Sequence, residues 1–439
     1  LTLPARGRGT HGWAEIDEAR KTAIIDAIEH GGATAGPAHL ELDLTDRCNV
    51  ACYFCNQQDV RTTDQLPLQH VRALIDELAS TGLRSVRLSG GGDPLAHREI
   101  GSVLDHLALR NVVVDNLTTN AALLGSEVAR RLVAGQAREI LVSLNAANRE
   151  DYARMMQARP AVFDVVVENV RALIALRGGA PMPSIAVQFL LDRRNVGDLP
   201  AMYALGRAMG TDRIPISIVL NIPNQRIDPA ILLHPDDIET LRPGLTAVLA
   251  ADREEQRLQI HFPVPAWNEM VASIKRELGY PPEQNLFPTA GSFSDENGHC
   301  FFGWYTATVR GNGDLYPCCL LMSPDYPPLG RADSGTFARH WNGPGFTRLR
   351  KEMRDVFLEG KAAKFDPAEH EILRPQCITH GACWLKNMYF RADEGFYRRL
   401  GEALDRARRR TRLRRGIRRR VDTVRRTLGR WAQRRASAP

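Results

Sequence analysis

Apolar and polar positions along the 439-residue chain fall into two exchanging periods. Over residues 68–81, Val71, Leu74, Ile75 and Leu78 recur at helical spacing, and Gly82 closes the run. A short apolar strand pattern follows over 85–89, and helical spacing returns over 97–107. The exchange continues with strands over 112–117, 139–144, 184–190 and 213–220. Helices begin near Ser126 and run over 163–176 and 198–209, and an apolar strand over 39–44 precedes the whole series. Six strands alternating with helices predict a parallel sheet with right-handed crossovers. Six units are fewer than the usual eight of a closed barrel. The expected class is therefore α/β, an open, partial (β/α)6 TIM-like barrel over residues 39–230.

On either side the pattern changes. Trp13, Ile16, Ala19, Ala23, Ile24 and Ile28 recur at helical spacing up to Gly31-Gly32, which predicts an N-terminal helical extension over 1–38. Residues 221–229 are rich in Pro and Asn, His234-Pro235-Asp236-Asp237 reads as a helix start, and 281–298 is irregular. Residues 231–299 are expected to be a helical linker region. A second cysteine-bearing region over 300–390 contains Arg310-Gly311-Asn312-Gly313 between two apolar runs, a hairpin signal. In the last segment, 391–439, Ile417, Val421, Val424, Leu428 and Trp431 recur at 4-3-4-3 spacing among arginines, which predicts a basic amphipathic helix.

Charge sharpens that division. Residues 398–435 hold seventeen arginines against Glu402, Asp405 and Asp422, a net of +14. The whole chain carries +7, so the remainder is acidic at −7. Such a helix suits an anionic membrane surface or a partner protein, whereas no base-reading or aromatic-rich module accompanies it, which argues against nucleic acid. No apolar run reaches the ~18 residues of a membrane-spanning helix. The first residues lack the apolar core of an export signal. The eight cysteines are thus expected reduced and available to metal, in the cytoplasm or peripherally at its membrane.

Those cysteines divide between two places. Cys48, Cys52 and Cys55 are spaced C-x3-C-x2-C just after the first strand. Three thiolates on one loop fill three corners of an iron–sulfur cubane and leave the fourth iron open to a small-molecule chelator, unlike an electron-transfer cluster ligated at every iron. A structural zinc loop is the alternative, and it needs a fourth ligand nearby; the first histidine downstream, His70, lies in a helical pattern. After the second strand comes Ser89-Gly90-Gly91-Gly92-Asp93-Pro94, where missing Cβ atoms let a ligand approach bare backbone. Thr118-Thr119-Asn120 and Ser143-Leu144-Asn145 place short polar side chains at two further strand ends, as pocket groups or as caps of the following turns. Downstream, Cys300, Gly313 and Cys318 read C-x12-G-x4-C, a hairpin brings the two cysteines together, and Cys377 and Cys383 supply the remaining thiols of a four-thiolate site.

This set resembles the radical S-adenosylmethionine (SAM) enzymes, with Phe54 as the usual aromatic before the third cysteine. The resemblance implies a [4Fe–4S] cluster on Cys48, Cys52 and Cys55 that chelates SAM. It also implies an external electron donor of the flavodoxin or ferredoxin type, and reductive cleavage to a 5′-deoxyadenosyl radical that takes hydrogen from an unactivated carbon. Gly91-Gly92-Asp93-Pro94 matches the family's GGE(P) motif with Asp for Glu, so Gly91, Gly92, Asp93 and Pro94 are expected to bind SAM, with Ser143 and Asn145 from the fourth strand. The second region resembles the family's SPASM/twitch extension, implying an auxiliary [4Fe–4S] cluster on Cys300, Cys318, Cys377 and Cys383; five cysteines there suit one cluster rather than two. Cys319 is the spare: a replacement ligand for Cys318, a hydrogen donor to a substrate radical, or a small buried residue.

The expected substrate is a small molecule, a sugar or aminocyclitol, because the stretch before His39 is shorter than a peptide-recognition domain of ~80 residues. The alternative is a maturase acting on a ribosomally made peptide. A remoter reading is a non-catalytic iron–sulfur or zinc protein that binds nucleic acid.

Overall fold

In the computed structural model the described residues are 12–55, 57, 61–135, 137–219, 227–260, 262, 265–280, 300–322, 326–332, 337–360, 363–378 and 393–436. A short 3-10 turn and α1 (Glu18–His30) lead into the sheet. The six expected strands are β1 (His39–Leu42), β2 (Ser85–Leu88), β3 (Val113–Thr119), β4 (Glu139–Ser143), β5 (Ser184–Leu191) and β6 (Ile214–Ile218). They lie parallel and in chain order. The crossovers carry α2 (Leu68–Ser80), α3 (Ile100–Leu109), α4 (Ser126–Ala134), α5 (Arg149–Met156), α6 (Val162–Arg177) and α7 (Leu199–Met209). Val71, Leu74, Ile75 and Leu78 form the buried face of α2, as their spacing predicts. The helix expected from residue 97 begins only at Ile100. Asp93 first caps a 3-10 turn at Pro94–Ala96, and His97 stays extended with Nε2 2.9 Å from the Leu66 carbonyl.

The sheet extends past both expected limits. Beyond β6, α8 (Ile238–Asp252) crosses over to β7 (Leu258–Ile260), which pairs parallel with β6, and α9 (Pro265–Glu277) follows. A three-residue strand has too few positions to show a period, which is why the pattern missed it. At the other edge the predicted hairpin, β8 (Thr306–Val309) and β9 (Asp314–Tyr316), joins the same sheet, with β8 parallel to β1. β10 (Gly330–Arg331) completes the order β10-β9-β8-β1-β2-β3-β4-β5-β6-β7. Both edges of β1 are therefore covered, and its residues are buried throughout.

After α10 (Phe337–Trp341) and α11 (Pro344–Glu359), the chain ends in α12 (Glu394–Ala436). Its first turns dock on α1 through buried Phe396, Leu400, Ala403, Leu404 and Ala407. Arg399 pairs with Glu18 at 2.7 Å, and Arg406 and Arg410 both reach Glu29 at 2.6 Å. Among the described residues no helix is long and apolar enough to cross a membrane.

Candidate active site

Alternation along β1 sends Leu40, Leu42 and Leu44 to one face and His39, Glu41 and Asp43 to the other, with all six buried. The cysteine loop leaves the C-terminal end of this strand, where enzymes built from βα units carry their chemistry. It is fastened from several sides. Ala51 and Tyr53 donate backbone hydrogen bonds to the Met156 and Met155 carbonyls at the end of α5, at 3.1 and 3.3 Å. The Tyr53 hydroxyl donates to buried Asp192 beyond β5, and the Arg194 guanidinium lies 4.5 Å from the Tyr53 ring centre. Asn49 and Asn120 exchange amide hydrogen bonds, the shorter at 2.7 Å.

The thiols of Cys48, Cys52 and Cys55 are only partly covered. Burial pushes the Cys48 and Cys52 thiols up from the ordinary range, so they become thiolates only beside compensating positive charge. Arg61 supplies one such charge, its Nη2 lying 2.9 Å from the Cys55 sulfur. A trio of soft donors on one loop, next to a guanidinium, fits an iron–sulfur cluster.

The glycine run lies against this loop. Gly90 and Gly91 have φ of +61° and +46°, a conformation that favours glycine. A Cβ on Gly92 would come within 1.8 Å of the Arg47 carbonyl oxygen, and one on Gly90 within 2.1 Å of Asp43 Oδ1. Gly92 and Asp93 donate to the Thr45 and Arg47 carbonyls at 2.8 and 2.9 Å. Bare backbone is thus needed here for the two loops to touch, whatever else it binds. The Asp93 carboxylate is turned inward: it accepts from Leu95 N, Thr119 Oγ1 and Asn120 N at 2.7–2.9 Å. Burial raises its pKa, and these bonds pull the other way. In this position Asp93 ties the β2 turn to the end of β3.

The β4 residues separate in the same manner. Asn145 is fully buried at φ +62°, accepts from Leu190 N at 3.1 Å, and holds its amide 3.6 Å from the Met156 sulfur. It braces the cysteine loop through Met156. Ser143, paired in register with Gln188, stays partly exposed at the strand end. Pro94 is buried at the head of its 3-10 turn.

Sequence reasoning missed the polar face of β1. Glu41 accepts from Thr308 Oγ1 at 2.9 Å and lies 3.5 Å from Arg87 on β2. Asp43 is 2% exposed, and its Oδ2 is buried with no hydrogen-bond partner among the described residues. Burial and the charge of Glu41 hold its carboxyl well above the usual carboxylate range. Cys319 completes the group, its sulfur 3.9 Å from Glu41 Oε1 and its thiol pushed up by burial and by Glu41. The available signal was polar residues at every second place of an otherwise apolar buried strand.

The hairpin fixes the second cysteine region relative to the first. Arg310 Nη2 reaches Asp46 Oδ2 at 2.9 Å, with both side chains almost fully buried, and Asp46 also accepts from Thr62 Oγ1 at 2.8 Å. Cys318 and Cys377 both lie within electrostatic reach of the Tyr326 hydroxyl, whereas the adjacent Cys319 points its sulfur at Glu41. Cys300 adjoins Tyr397 on α12. Cys383 lies outside the described residues.

Comparison with known proteins places these two cysteine regions in two families. Residues 42–185 match the Radical SAM superfamily model, and residues 300–364 match SPASM, an iron–sulfur cluster-binding domain. The mycofactocin maturase MftC of Mycobacterium ulcerans is 28% identical over 332 residues, 75% of this chain and 80% of that protein. The GTP 3',8-cyclase of Bradyrhizobium diazoefficiens is 28% identical over 200 residues, covering 44% of this chain and 56% of the cyclase. Among solved structures, Streptococcus suis SuiB bound to its precursor peptide SuiA superposes with a TM-score of 0.56 at 15% identity, covering 74% of this chain and 70% of SuiB. The enzyme anSMEcpe, with AdoMet and the Kp18Cys peptide bound, gives 0.53 at 13% identity over 83% of this chain and 99% of that one. These likenesses agree with the partial barrel.

Proposed function

Because the chain belongs to the radical SAM superfamily and to its SPASM subgroup, we propose that this radical SAM enzyme is a maturase that modifies a ribosomally made peptide. The substrate class is supported by the match to the mycofactocin maturase across 80% of that protein's length, together with the likeness to SuiB bound to precursor peptide SuiA. The sugar or aminocyclitol expected from the short N-terminal extension gives way to its alternative. A non-catalytic zinc or iron–sulfur protein is set aside by membership in an enzyme family.

Cys48, Cys52 and Cys55 would hold the SAM-binding [4Fe–4S] cluster, with the Arg61 guanidinium beside the Cys55 sulfur. Cys300, Cys318, Cys377 and Cys383 would hold the auxiliary iron–sulfur cluster. Cys318 is preferred to Cys319 as a ligand because the Cys319 sulfur is turned to Glu41 on the polar face of β1. Bound together, cluster and SAM supply a radical that takes a hydrogen atom from an unactivated carbon. Around them Gly91 and Gly92 present bare backbone at the pocket and Ser143 a hydroxyl. Asp93, Pro94 and Asn145 act from behind by fixing the loops. The second region covers the mouth and keeps water and oxidants from the reacting carbon. Cys319, beside Glu41 and Asp43 on the polar face, would give its thiol hydrogen to the substrate radical, and the resulting thiyl would be restored by one electron from the flavodoxin- or ferredoxin-type donor and a proton from solvent.

Anaerobic, reduced protein incubated with SAM and peptides encoded beside its gene, in deuterium oxide, tests both statements. A mass change in one peptide, with 5′-deoxyadenosine formed in step, is the expected result. Solvent deuterium should enter the product with the native protein and not with Cys319→Ala. Deoxyadenosine made at one rate with or without every such peptide, and turnover with a sugar instead, would overturn the maturase reading. Deuterium retained by Cys319→Ala would remove the role given to that thiol.

A further inference from the structure

We propose that the distal part of α12 is a docking element for an anionic phospholipid surface. The helix changes character along its length. Its inward face is buried on the body as far as Ala407, and four arginines near there have partners: Arg399 with Glu18, Arg406 and Arg410 with Glu29, and Arg408 with the Phe357 carbonyl at 2.8 Å. Past that point Leu413, Ile417 and Val421 stand 66%, 54% and 44% exposed, although they are apolar and four residues apart on one side of a helix. At 100° per residue these three lie on an arc of roughly 80°, turned away from the docked face by a similar angle. In the sequence a 4-3 spacing of apolar residues runs on through Val424, Leu428 and Trp431.

The charge chooses the occupant. From Arg412 onward eleven arginines stand against one acid, Asp422. A second copy of this helix would bring the same positive charge against itself, with no acidic face to receive it. On the body beneath the helix, Glu18 and Glu29 are already engaged by the earlier arginines. A nucleic acid would satisfy the arginines and leave the apolar row in water, because phosphate contacts call for no such row. An anionic bilayer accepts both: acyl-chain boundary for the leucine, isoleucine and valine, and headgroup phosphates for the flanking guanidiniums. The arc is too narrow for immersion all round, so the helix would lie in the plane of the interface.

The full chain should therefore sediment with vesicles of phosphatidylcholine containing about one quarter phosphatidylglycerol, and not with phosphatidylcholine alone. Binding should weaken at least about tenfold for Ile417→Ser/Val421→Ser, and by a similar factor for Arg418→Glu/Arg419→Glu. Circular dichroism and melting temperature, read on the same samples, report whether each variant keeps its fold. Equal binding to both vesicle types would overturn the proposal. So would full binding by the Ser variant, or a dimer that this variant abolishes in a protein that ignores vesicles. A duplex oligonucleotide bound more tightly than the anionic vesicles, and unaffected by the Ser changes, would assign the helix to nucleic acid instead.

Discussion

The two cysteine regions are built by opposite means. Cys48, Cys52 and Cys55 sit on one loop whose spacing alone brings them together, and five strands' worth of scaffold only steadies it. Cys300, Cys318 and Cys377 come from separate stretches of chain: the approach to β8, the end of β9 and the turn after α11. A site of the first kind is carried by its local sequence. One of the second kind exists only when the whole C-terminal third is folded, and it joins the first through β8 beside β1 and through the buried ion pair of Arg310 with Asp46. Local sites are robust to loss of the fold around them; assembled ones are not.

The strongest way to break that contrast is to remove ligands from each side. Changing Cys48, Cys52 and Cys55 to Ala should lower 5′-deoxyadenosine formation at least about a thousandfold, while Cys377→Ser should leave SAM cleavage within about tenfold and abolish peptide modification. Iron analysis should show a partial loss in each. Equal loss of cleavage in both variants would mean that the two regions act as one site.

Next in size is the joint between them. Arg310→Met leaves the Asp46 carboxylate buried with its hydroxyl donor but without its cation, and should cost about 3–5 kcal/mol in urea unfolding. A change below about 1 kcal/mol would show that the pair does not tie the regions together. The smallest effect concerns α12. Arg406, then Arg410, hold the Glu29 carboxyl down at about 2, below its ordinary value of 4.5. A depressed carboxylate stabilises the fold above its unfolded pKa, and that contribution fades as pH falls through the folded value. Native protein should therefore exceed Glu29→Gln by about 1–2 kcal/mol near neutrality, and the gap should close between about pH 4.5 and 2. A gap that stays constant down to pH 2 would place the stabilisation elsewhere.

The same contrast explains what could be read in advance. The six central strands were legible because buried parallel strands and amphipathic helices differ in period, and the cysteine loop because its ligands are neighbours in sequence. β7 was not, since three residues carry no period. The pairing of β8 with β1 was not, since parallel pairing across that distance leaves no local trace. The family's glycine-rich motif makes Asp93 an expected SAM contact, and its fourth-strand position does the same for Asn145. The structure turns both inward, where their hydrogen bonds brace the loops. The polar row His39, Glu41 and Asp43 was visible as letters, but it gained meaning only when Arg87, Thr308 and Cys319 arrived around it.

One arrangement also bears on how the molecule comes into being. Arg310 meets Asp46 across 264 positions of sequence, and β8 covers the edge of β1 from the same late stretch. A nascent polypeptide emerging from the ribosome therefore exposes β1 with one edge bare until most of the chain has been synthesised. Until then the cysteine loop relies on its own spacing and on the barrel strands, and the C-terminal clamp is the last part of its surroundings to arrive.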